Sequence, residues 1–480
     1  MIRRWKTVPF RWRPLLFFCI VLYVVLYVPS YFISNKERKF DDLIESNRIH
    51  SAGRELLEAR RNSIEAEQRR PNPKIIQLKE DKDNEYAFAI DYRGKKLFIE
   101  AVLTHPDAES LETKTVLDPK IIKSKKIIAT VASTGGFSNA NLGGCPDWNC
   151  EITSNNIENA DIVIMQGKST LPRKSKQLFV YYSQESPQNS ASLGGTGTFF
   201  NMTLGFRHDS PAASPYGYTV KLAKQSRISP EVSVADETLV KNKSKVASWF
   251  VSHCGTQSRR EALVAELQKY LEVDIYGGCG PLKCAKGTSC ENSIDTDYHF
   301  YMALENSICE DYITEKLWNQ GYGHTVIPIV LQRSIIEPYV PPHSFIAFDD
   351  YKNIEEMAKH LKFLMDNKKE YLKYFEWRRN YAVIYLDGRK HDALERPWGF
   401  CQLCRLAHVL DSVPTAVSNI KLLPNENLAE RWDKSCEPVG QLATKLLSQN
   451  SSNRNEGPKS NKFPENGKGI LVESEMRVKP

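Results

Sequence analysis

Residues 300–318, FYMALENSICEDYITEKLW, hold the densest group of side chains that could do chemistry. The segment begins as an apolar, strand-like run, becomes polar at Glu305 and Asn306, and enters a helix start that carries Glu315 and Lys316. Such strand-to-helix junctions bind nucleotides in open α/β sheets, because the free N–H groups of the helix face phosphate. Carboxylates suit sugar hydroxyls and an ammonium suits a diphosphate. The segment therefore predicts a site for a nucleotide-linked sugar.

A second candidate is Glu185, in the segment YYSQESPQN. It follows the carboxyl end of an apolar strand, and Pro187 prevents that strand from continuing. Sugar transfer from a nucleotide needs a base for the acceptor hydroxyl, charge stabilisation for the departing diphosphate, and pockets that orient both partners. We expect Glu185 to be the base. The alternative is a glutamate that only caps a turn.

Cationic side chains for the diphosphate are predicted at Lys316 and at Arg260, with Arg259 left open as the alternative to its neighbour. Both arginines could instead belong to a solvated first helical turn. Cations at a helix N-terminus oppose the helix dipole, which favours contact with a bound anion. No Asp-x-Asp follows an apolar strand, so no metal ligand is assigned and no cofactor is expected to be required. Mn²⁺ or Mg²⁺ remains open as a stimulant only.

The elements that must position these residues are strands that alternate with helices in two groups. Strand-like apolar runs occupy residues 125–133, 160–167 and 177–182 in the first group, and 246–252, 273–276, 298–304, 325–331 and 345–348 in the second. Alternation of this kind implies right-handed parallel crossovers. The sequence thus predicts two Rossmann-like α/β domains that face a cleft.

The N-terminus predicts a membrane anchor. Residues 15–33 carry no charge, five cations precede them, and no convincing cleavage site follows. That length suits a membrane span of ~20 residues, and the preceding cations place the N-terminus in the cytosol. The rest of the chain would be lumenal. The alternative is a cleaved signal peptide on a secreted protein.

The cysteines agree with an oxidising compartment. Besides Cys19 there are ten, an even number that fits disulfides. Cys401 and Cys404 could form half of a zinc site, but the other cysteines lack the spacing of a second half. Three sequons would be glycosylated in such a lumen, at Asn201, Asn242 and Asn450.

Length and charge limit the protein class. The chain has 480 residues, is 41% hydrophobic and carries a net charge of +7. This composition allows two sizeable cores. The basic residues are spread along the chain and are not interleaved with aromatic residues, so we expect no nucleic-acid binding.

The segment 300–318 closely resembles the donor-binding signature of the α1,3-fucosyltransferases, glycosyltransferase family 10. Glu185-Ser-Pro is similar to the family's segment with the catalytic carboxylate, and residues 252–267, SHCGTQSRREALVAEL, to the segment whose arginine contacts the donor phosphates. Further matches follow in the same order: GGCPDWNCEIT, MTLGFRHDSPAASPYGY and WGFCQLCRLAH. Two departures, Leu304 for phenylalanine and His253 for asparagine, remove no charged group.

This resemblance implies a GT-B fold and inverting transfer of fucose from GDP-fucose to the 3-hydroxyl of N-acetylglucosamine in N-glycans, with core N-acetylglucosamine favoured. It implies a single-pass type II protein of the Golgi membrane. Two alternatives remain open: transfer to antennal acceptors, including a 4-hydroxyl, and a glycan-binding decoy without activity.

The resemblance also implies roles for particular residues. Glu315 would accept from the ribose hydroxyls, and Glu305 with Asn306 would reach the ribose or the sugar. Tyr312 would pack against the donor, with a plain core position as the alternative, and Tyr276 would lie near the guanine.

The expected division of the chain is as follows. It comprises a cytosolic tail (1–14), the anchor (15–33), a stem (34–73), an acceptor-side domain (74–226), a linker (227–244), a donor-side domain (245–410), a C-terminal extension (411–448) and a disordered tail (449–480).

Overall fold

The computed structural model describes residues 75–76, 88–104, 111–131, 136–167, 174, 177–193, 199–285, 288–412 and 428–452. The features below belong to one unit, Pro73–Lys286 with Asn292–Pro480. The predicted anchor and stem, and the predicted tail beyond residue 452, lie outside the described residues. Among the helices that are described, none has both the length and the apolar character that crossing a membrane requires.

The described strands form three five-stranded sheets. The strands are β1 (Ile75–Ile76), β2 (Phe88–Tyr92), β3 (Lys95–Leu103), β4 (Lys126–Thr130), β5 (Cys150–Thr153), β6 (Ile162–Met165), β7 (Leu178–Ser183), β8 (Met202–Gly205), β9 (Gly217–Leu222), β10 (Lys245–Phe250), β11 (Val273–Tyr276), β12 (Tyr298–Met302), β13 (Ile327–Val330), β14 (Ile346–Ala347) and β15 (Tyr381–Tyr385).

The described α-helices lie between and after these strands. They are Leu111–Thr115, Glu237–Asn242, Arg260–Leu267, Ser293–Thr296, Arg333–Ile336, Ile354–Asp366, Lys368–Lys373, Gly399–Ser412, Leu428–Asp433 and Gln441–Ser452. A π-helix spans Lys316–Gly321.

The first parallel sheet has the strand order β5-β4-β6-β7-β8. Its strands are near-continuous apolar runs because both faces are covered. Ile162 and Ile164 face a core that includes the helix Gly399–Ser412. Val163 and Met165 point to the other face, where they pack with residues of Leu428–Asp433.

The second parallel sheet has the strand order β11-β10-β12-β13-β14. One face packs against three amphipathic helices: Arg260–Leu267, Ile354–Asp366 and Gln441–Ser452. The opposite face of β12 packs against Trp318 and Tyr322. The prediction of parallel sheets is confirmed in an α/β architecture.

The third sheet is antiparallel, with the order β1-β2-β3-β9-β15. The hairpin of β2 and β3 turns at Arg93 and Gly94, whose φ angles are 48° and 74°. Glycine adopts this left-handed region without steric cost. The sheet pairs strands far apart in sequence, and no apolar pattern had predicted its two later strands.

The C-terminal helices cross the expected domain boundaries. Gly399–Ser412 begins inside the expected donor-side segment, but it packs on the first sheet, where Cys145–Cys401 and Cys150–Cys404 tie it down. Leu428–Asp433 also packs beside the first sheet, and Gln441–Ser452 packs beside the second. This last helix extends past residue 449, where the disordered tail was expected to begin.

Candidate active site

The candidate site lies where the strand order of the second sheet reverses. Strand β11 lies on one side of β10, and the next strand in the chain, β12, lies on the other side. In open α/β sheets a crevice forms at such a reversal, at the carboxyl ends of the strands. Residues that follow β10 and β12 meet in this crevice. Ser258 donates from its Oγ to the carbonyl of Glu305 at 2.8 Å and from its N–H to the carbonyl of Asn306 at 2.9 Å.

Glu305 is buried in this crevice and is 7% exposed. Its Oε1 accepts from both the N–H and the hydroxyl of Thr314, each at 2.8 Å. Its Oε2 lies 2.9 Å from the ammonium nitrogen of Lys316. The Glu305 carboxylate thus connects the residue before the loop 306–313 to the residues just after it.

Lys316 is held between two carboxylates. Besides Glu305, its Nζ lies 3.4 Å from Oε1 of Glu315. Burial alone would lower the pKa of Lys316, but Glu305 and Glu315 raise it above its usual value. Burial alone would likewise raise the pKa of Glu315, which Lys316 lowers below its usual value. Both groups are therefore charged at neutral pH.

Glu185 lies on the first sheet's side of the site and is exposed. Its Oε2 accepts from the hydroxyl of Tyr312 at 3.0 Å and from Nδ2 of Asn306 at 3.5 Å. A neighbouring contact strengthens the junction, because Ser186 donates to Ser307 at 2.8 Å. The candidate base therefore touches the loop that carries the candidate donor-binding residues.

Tyr312 is buried, and its contacts are polar at one end only. Its ring packs edge-on against Phe206, with ring centroids 4.8 Å apart. Burial, with the nearby carboxylates of Glu305 and Glu185, raises the pKa of Tyr312 above its usual value. The hydroxyl is therefore protonated and donates to Glu185.

The two arginines at the start of the helix Arg260–Leu267, which follows β10, have different surroundings. Arg260 is 2% exposed and donates to the carbonyls of His253, at 2.8 Å, and Leu304. Its Nε is buried with no hydrogen-bond partner among the described residues. Arg259 is exposed, has a φ of 51°, and its side chain lies close to Gly440. Arg260 thus lies beneath the crevice, whereas Arg259 faces the C-terminal segment.

The side chain of Tyr276 is directed elsewhere. Its ring stacks on Phe250 with centroids 4.6 Å apart, and its hydroxyl is 2.8 Å from that of Tyr298, the first residue of β12. Only its backbone reaches the edge of the crevice, where its carbonyl accepts from the N–H of Val251 at 2.8 Å. The described contacts of this ring do not involve the Glu305 and Lys316 group.

A charged network that no prediction assigned joins the two sides of the site. Arg207 is buried; its guanidinium pairs with Asp209, and its Nη1 donates to Oε2 of Glu310 at 2.7 Å. Asp311 accepts from the N–H of His208 at 2.9 Å. Arg207 and Asp209 belong to the segment 202–218, which resembles a family motif. That resemblance is the sequence feature that could have identified these two residues as part of the site. The pairing with Glu310 is visible only in the fold.

A cavity of about 310 Å³ opens beside the site. It is lined on one side by Gln184, the neighbour of Glu185, and by Tyr216, and on the other by Glu315. Residues 385–388 and 398–400 are among the other residues that line it. The cavity therefore touches both the segment of the candidate base and a candidate donor-binding residue.

The structure also locates the predicted sequons and the cysteine pair. Asn201 accepts from the N–H of Phe179 at 2.8 Å and is half-buried, whereas Asn242 is exposed at the end of a helix. The side chain of Asn450 lies outside the described residues. The sulfurs of Cys401 and Cys404 are both in disulfides, so they do not supply half of a zinc site.

Family models match the chain in two blocks. Residues 123–217 match "Fucosyltransferase, N-terminal", and residues 240–422 match "Glycosyltransferase family 10 (fucosyltransferase) C-term". Alpha-(1,3)-fucosyltransferase fut-1 of Caenorhabditis elegans is 45% identical over 444 residues, 91% of this chain and 97% of that protein. The chain belongs to glycosyltransferase family 10. It is therefore an enzyme, an α1,3-fucosyltransferase.

Other relatives of this fucosyltransferase cover less of it. Alpha-(1,3)-fucosyltransferase C of Drosophila melanogaster is 33% identical over 55% of this chain and 66% of its own length. A crystal structure of an alpha1,3-fucosyltransferase with GDP-fucose matches 60% of this chain and 90% of its own, with 19% identity and a TM-score of 0.39.

Proposed function

We propose that this enzyme transfers fucose from GDP-fucose to the 3-hydroxyl of N-acetylglucosamine in an N-glycan, with inversion at the fucose. The observation that carries the proposal is the contact of Glu185 with Tyr312 and Asn306, which places a carboxylate beside the loop that leads to Lys316. Family membership supports the donor and the α1,3 linkage. The core N-acetylglucosamine is the acceptor we favour, and antennal acceptors are the alternative.

The proposed reaction is a single displacement. Glu185 takes the proton of the acceptor hydroxyl while its oxygen attacks the anomeric carbon of fucose. The bond from that carbon to the diphosphate breaks on the opposite face, so the β-linked donor gives an α-linked product. Lys316 offsets the charge of the departing diphosphate, because a fixed cation in a buried site is worth more than one in water. GDP leaves with the electron pair.

We also propose the GT-B arrangement, with the first parallel sheet on the acceptor side and the second on the donor side. The placement of Glu185 after β7 and of Glu305 after β12 supports that division. A decoy that binds glycans without catalysis is the non-enzyme alternative. The family to which the chain belongs argues against it.

The cellular setting is part of the proposal. Residues 15–33 would hold the enzyme in the Golgi membrane as a single-pass type II protein, with the catalytic part in the lumen. The disulfide-bonded cysteines support an oxidising compartment. Removal of residues 1–73 is expected to release soluble, active enzyme. A mature N-terminus just past residue 34 in full-length material would contradict the anchor.

The decisive experiment offers the fragment 74–480 a panel of N-glycans with GDP-fucose. Paired acceptors should differ only in whether the core or an antennal N-acetylglucosamine is free. Linkage analysis of the product is expected to find fucose at the 3-hydroxyl of the core residue. Fucose only on antennae would establish the alternative acceptor. Absence of transfer to every acceptor of the panel, with intact GDP-fucose binding, would refute N-glycans as the acceptor class.

A further inference from the structure

The segment 428–440 lies beyond residues 240–422, the part of the chain that matches the family's C-terminal model, and it borders the candidate site. We call this segment the clasp. It comprises the helix Leu428–Asp433 and the residues that follow it up to Gly440. Its contacts reach the loop 306–313 and also the segment after β7. The surroundings of the candidate base therefore include a segment outside the family match.

The clasp is fixed to the loop 306–313 by a covalent bond. Cys436 forms a disulfide with Cys309, which is 1% exposed and lies 127 residues earlier in the chain. Two backbone hydrogen bonds flank this disulfide: the N–H of Glu437 to the carbonyl of Ile308 at 2.8 Å, and the N–H of Glu310 to the carbonyl of Ser435 at 2.9 Å. Three consecutive residues of the loop are thus fixed to three consecutive residues of the clasp.

Cys309 also holds the backbone of Tyr312. The N–H of Tyr312 donates to the carbonyl of Cys309 at 3.2 Å, and this bond closes a turn. Asp311 lies inside the turn and has a φ of 62°, in the left-handed region that residues other than glycine rarely adopt. Such a conformation persists where the surroundings impose it. The disulfide fixes the first residue of the turn that presents Tyr312 to Glu185.

The clasp also contacts the segment that follows β7 and carries the candidate base. Nε2 of Gln188 donates to the carbonyl of Glu437 at 2.8 Å. The ring of Trp432 packs against Phe206, with ring centroids 5.5 Å apart, and Phe206 in turn packs against Tyr312. The clasp therefore contacts the segment of the candidate base and the surroundings of the hydroxyl that donates to it.

The loop 306–313 depends on these contacts for its conformation. The structure describes all of its residues, and none of them belongs to a helix or a strand. A loop that is not held samples many conformations, and ordering it costs free energy. Precise placement matters here, because a displacement of about 1 Å at a reacting group can cost about 10²-fold in rate.

We propose that the Cys309–Cys436 disulfide positions Tyr312, and through it Glu185, for fucose transfer. Cys309 and Cys436 are then positioning residues for the reaction, and the clasp is part of the active site. This inference rests on the proposed function, in which Glu185 is the base.

The test combines Cys309→Ser with Cys436→Ser, which removes the disulfide and leaves neither thiol. With any acceptor that wild type uses, we expect kcat to fall by about tenfold, the loss expected from removing the Tyr312 hydroxyl itself. The KM of GDP-fucose should stay near wild type, because the ion pair of Glu305 and Lys316 lies outside the loop.

The decisive measurement repeats this change in a Tyr312→Phe background. If the disulfide acts through the Tyr312 hydroxyl, its removal should lower kcat there by less than about twofold, because residues in one network are not additive. A disulfide with a purely structural role would cost the same in both backgrounds. Equal losses, or an unchanged kcat in the cysteine variant, would overturn the inference.

The matched control combines Cys150→Ser with Cys404→Ser. This disulfide also joins distant parts of the chain, 254 residues apart, but Cys150 begins β5, the strand at the opposite edge of the first sheet from β8. Its removal should lower the melting temperature and leave kcat near wild type at temperatures below unfolding. A similar fall in kcat in this control would show general destabilisation and would refute the positioning role.

Partial reduction of folded wild type replaces the cysteine variant if that variant does not fold. A phosphine reductant is titrated in, and mass spectrometry of the alkylated protein gives the fraction of molecules in which Cys309 and Cys436 are open. We expect kcat to fall with that fraction, to recover on reoxidation, and to respond much less in Tyr312→Phe. Undiminished kcat in enzyme whose Cys309–Cys436 bond is open would contradict the proposal.

Fluorine NMR separates this inference from the proposed function. Tyr312 is replaced with a ring-fluorinated tyrosine in wild type, in the cysteine variant and in the control. Its resonance should shift or broaden on loss of Cys309–Cys436 but not on loss of Cys150–Cys404. If Glu185→Gln keeps its turnover, the proposed base is wrong, and this resonance alone decides whether the disulfide positions Tyr312. An unchanged resonance would refute the inference whatever the activity.

Discussion

Tyr312 donates its hydroxyl hydrogen to Oε2 of Glu185 at 3.0 Å, and this bond joins the loop after β12 to the segment after β7. Each parallel sheet contributes one partner. A candidate base is thus oriented by the same loop that begins with the buried Glu305. One hydroxyl group therefore connects the candidate base to the loop that carries the candidate donor-binding residues.

Replacing Glu185 with glutamine is expected to reduce kcat by roughly 10²–10⁴-fold, the usual contribution of a positioned general base. Glutamine has nearly the same shape but does not take the proton. Turnover is to be measured beside GDP-fucose affinity and melting temperature, both of which should stay near wild type. Retention of more than half the wild-type turnover would show that Glu185 is not the base and only caps a turn. Glu305 would then be the next carboxylate to test.

Replacing Tyr312 with phenylalanine should lower kcat by about tenfold, since one hydrogen bond to a charged group is worth about 1.5–3 kcal/mol and part is recovered from water. The ring still packs against Phe206, so the fold should persist. The diagnostic measurement is the double variant with Glu185→Gln. If Tyr312 acts through Glu185, the second change adds little; fully multiplicative losses would show that it acts independently.

Replacing Lys316 with alanine should weaken GDP-fucose binding by ~2–4 kcal/mol if the ammonium contacts phosphate. The variant also leaves the buried Glu305 carboxylate without its cation, which should lower the melting temperature. The double variant with Glu305→Gln separates the two effects, because it should recover stability but not donor affinity. Recovery of donor affinity as well would mean that Lys316 is purely structural.

Metal removal provides a fourth prediction. Because Lys316 supplies a cation at the crevice, the enzyme is expected to remain active in excess EDTA, and added Mn²⁺ or Mg²⁺ should at most stimulate it. Initial rates after dialysis against chelator give the answer. Activity that vanishes with EDTA and returns with Mn²⁺ would show that the diphosphate needs a metal ion.

Asp209 should make stability depend on pH. Burial alone would raise the pKa of Asp209, but the guanidinium groups of Arg207 and Arg431 hold it below its usual value. The pair therefore stabilises the fold above about pH 3.8, the pKa of a free aspartate, and the effect is lost as pH falls through the lowered pKa. Asp209→Asn should reduce the free energy of unfolding by about 1–3 kcal/mol at neutral pH.

Thermal unfolding of wild type and Asp209→Asn between pH 3 and 8 measures this dependence. The difference in melting temperature between wild type and Asp209→Asn should be constant from pH 5 to 8 and should become smaller below about pH 3.8. A difference that widens with acid would have the wrong sign for a carboxylate whose pKa is lowered.

Local patterns in the sequence predicted the two parallel sheets, since strands such as β6 are uninterrupted apolar runs bounded by polar turns. They also singled out Glu185, Glu305 and Lys316, because charged residues after apolar strands are visible in the sequence. The apolar pattern of residues 85–104 predicts the hairpin of β2 and β3, which the structure contains. The pairing of β9 with β3 and with β15 escaped prediction because these strands are far apart in the sequence. No local pattern encodes such pairing.

The side-chain surroundings could not be predicted either. Arg259 and Arg260 are adjacent in sequence, yet a φ of 51° at Arg259 turns the chain so that only Arg260 enters the interior. The side chain of Tyr276 points away from the crevice, and its hydroxyl contacts the hydroxyl of Tyr298. Both outcomes depend on backbone turns and on packing from distant segments.

The helix Gly399–Ser412 gives the first sheet its cover only at the end of synthesis. Cys145 and Cys401 are 256 residues apart, and at about 5–20 residues per second roughly 13–50 s separate their emergence from the ribosome. During that interval the apolar face of the sheet lacks this helix, and Cys145 and Cys150 lack their final disulfide partners. A nascent chain stalled before residue 399 should therefore be held by chaperones and by thiol oxidoreductases.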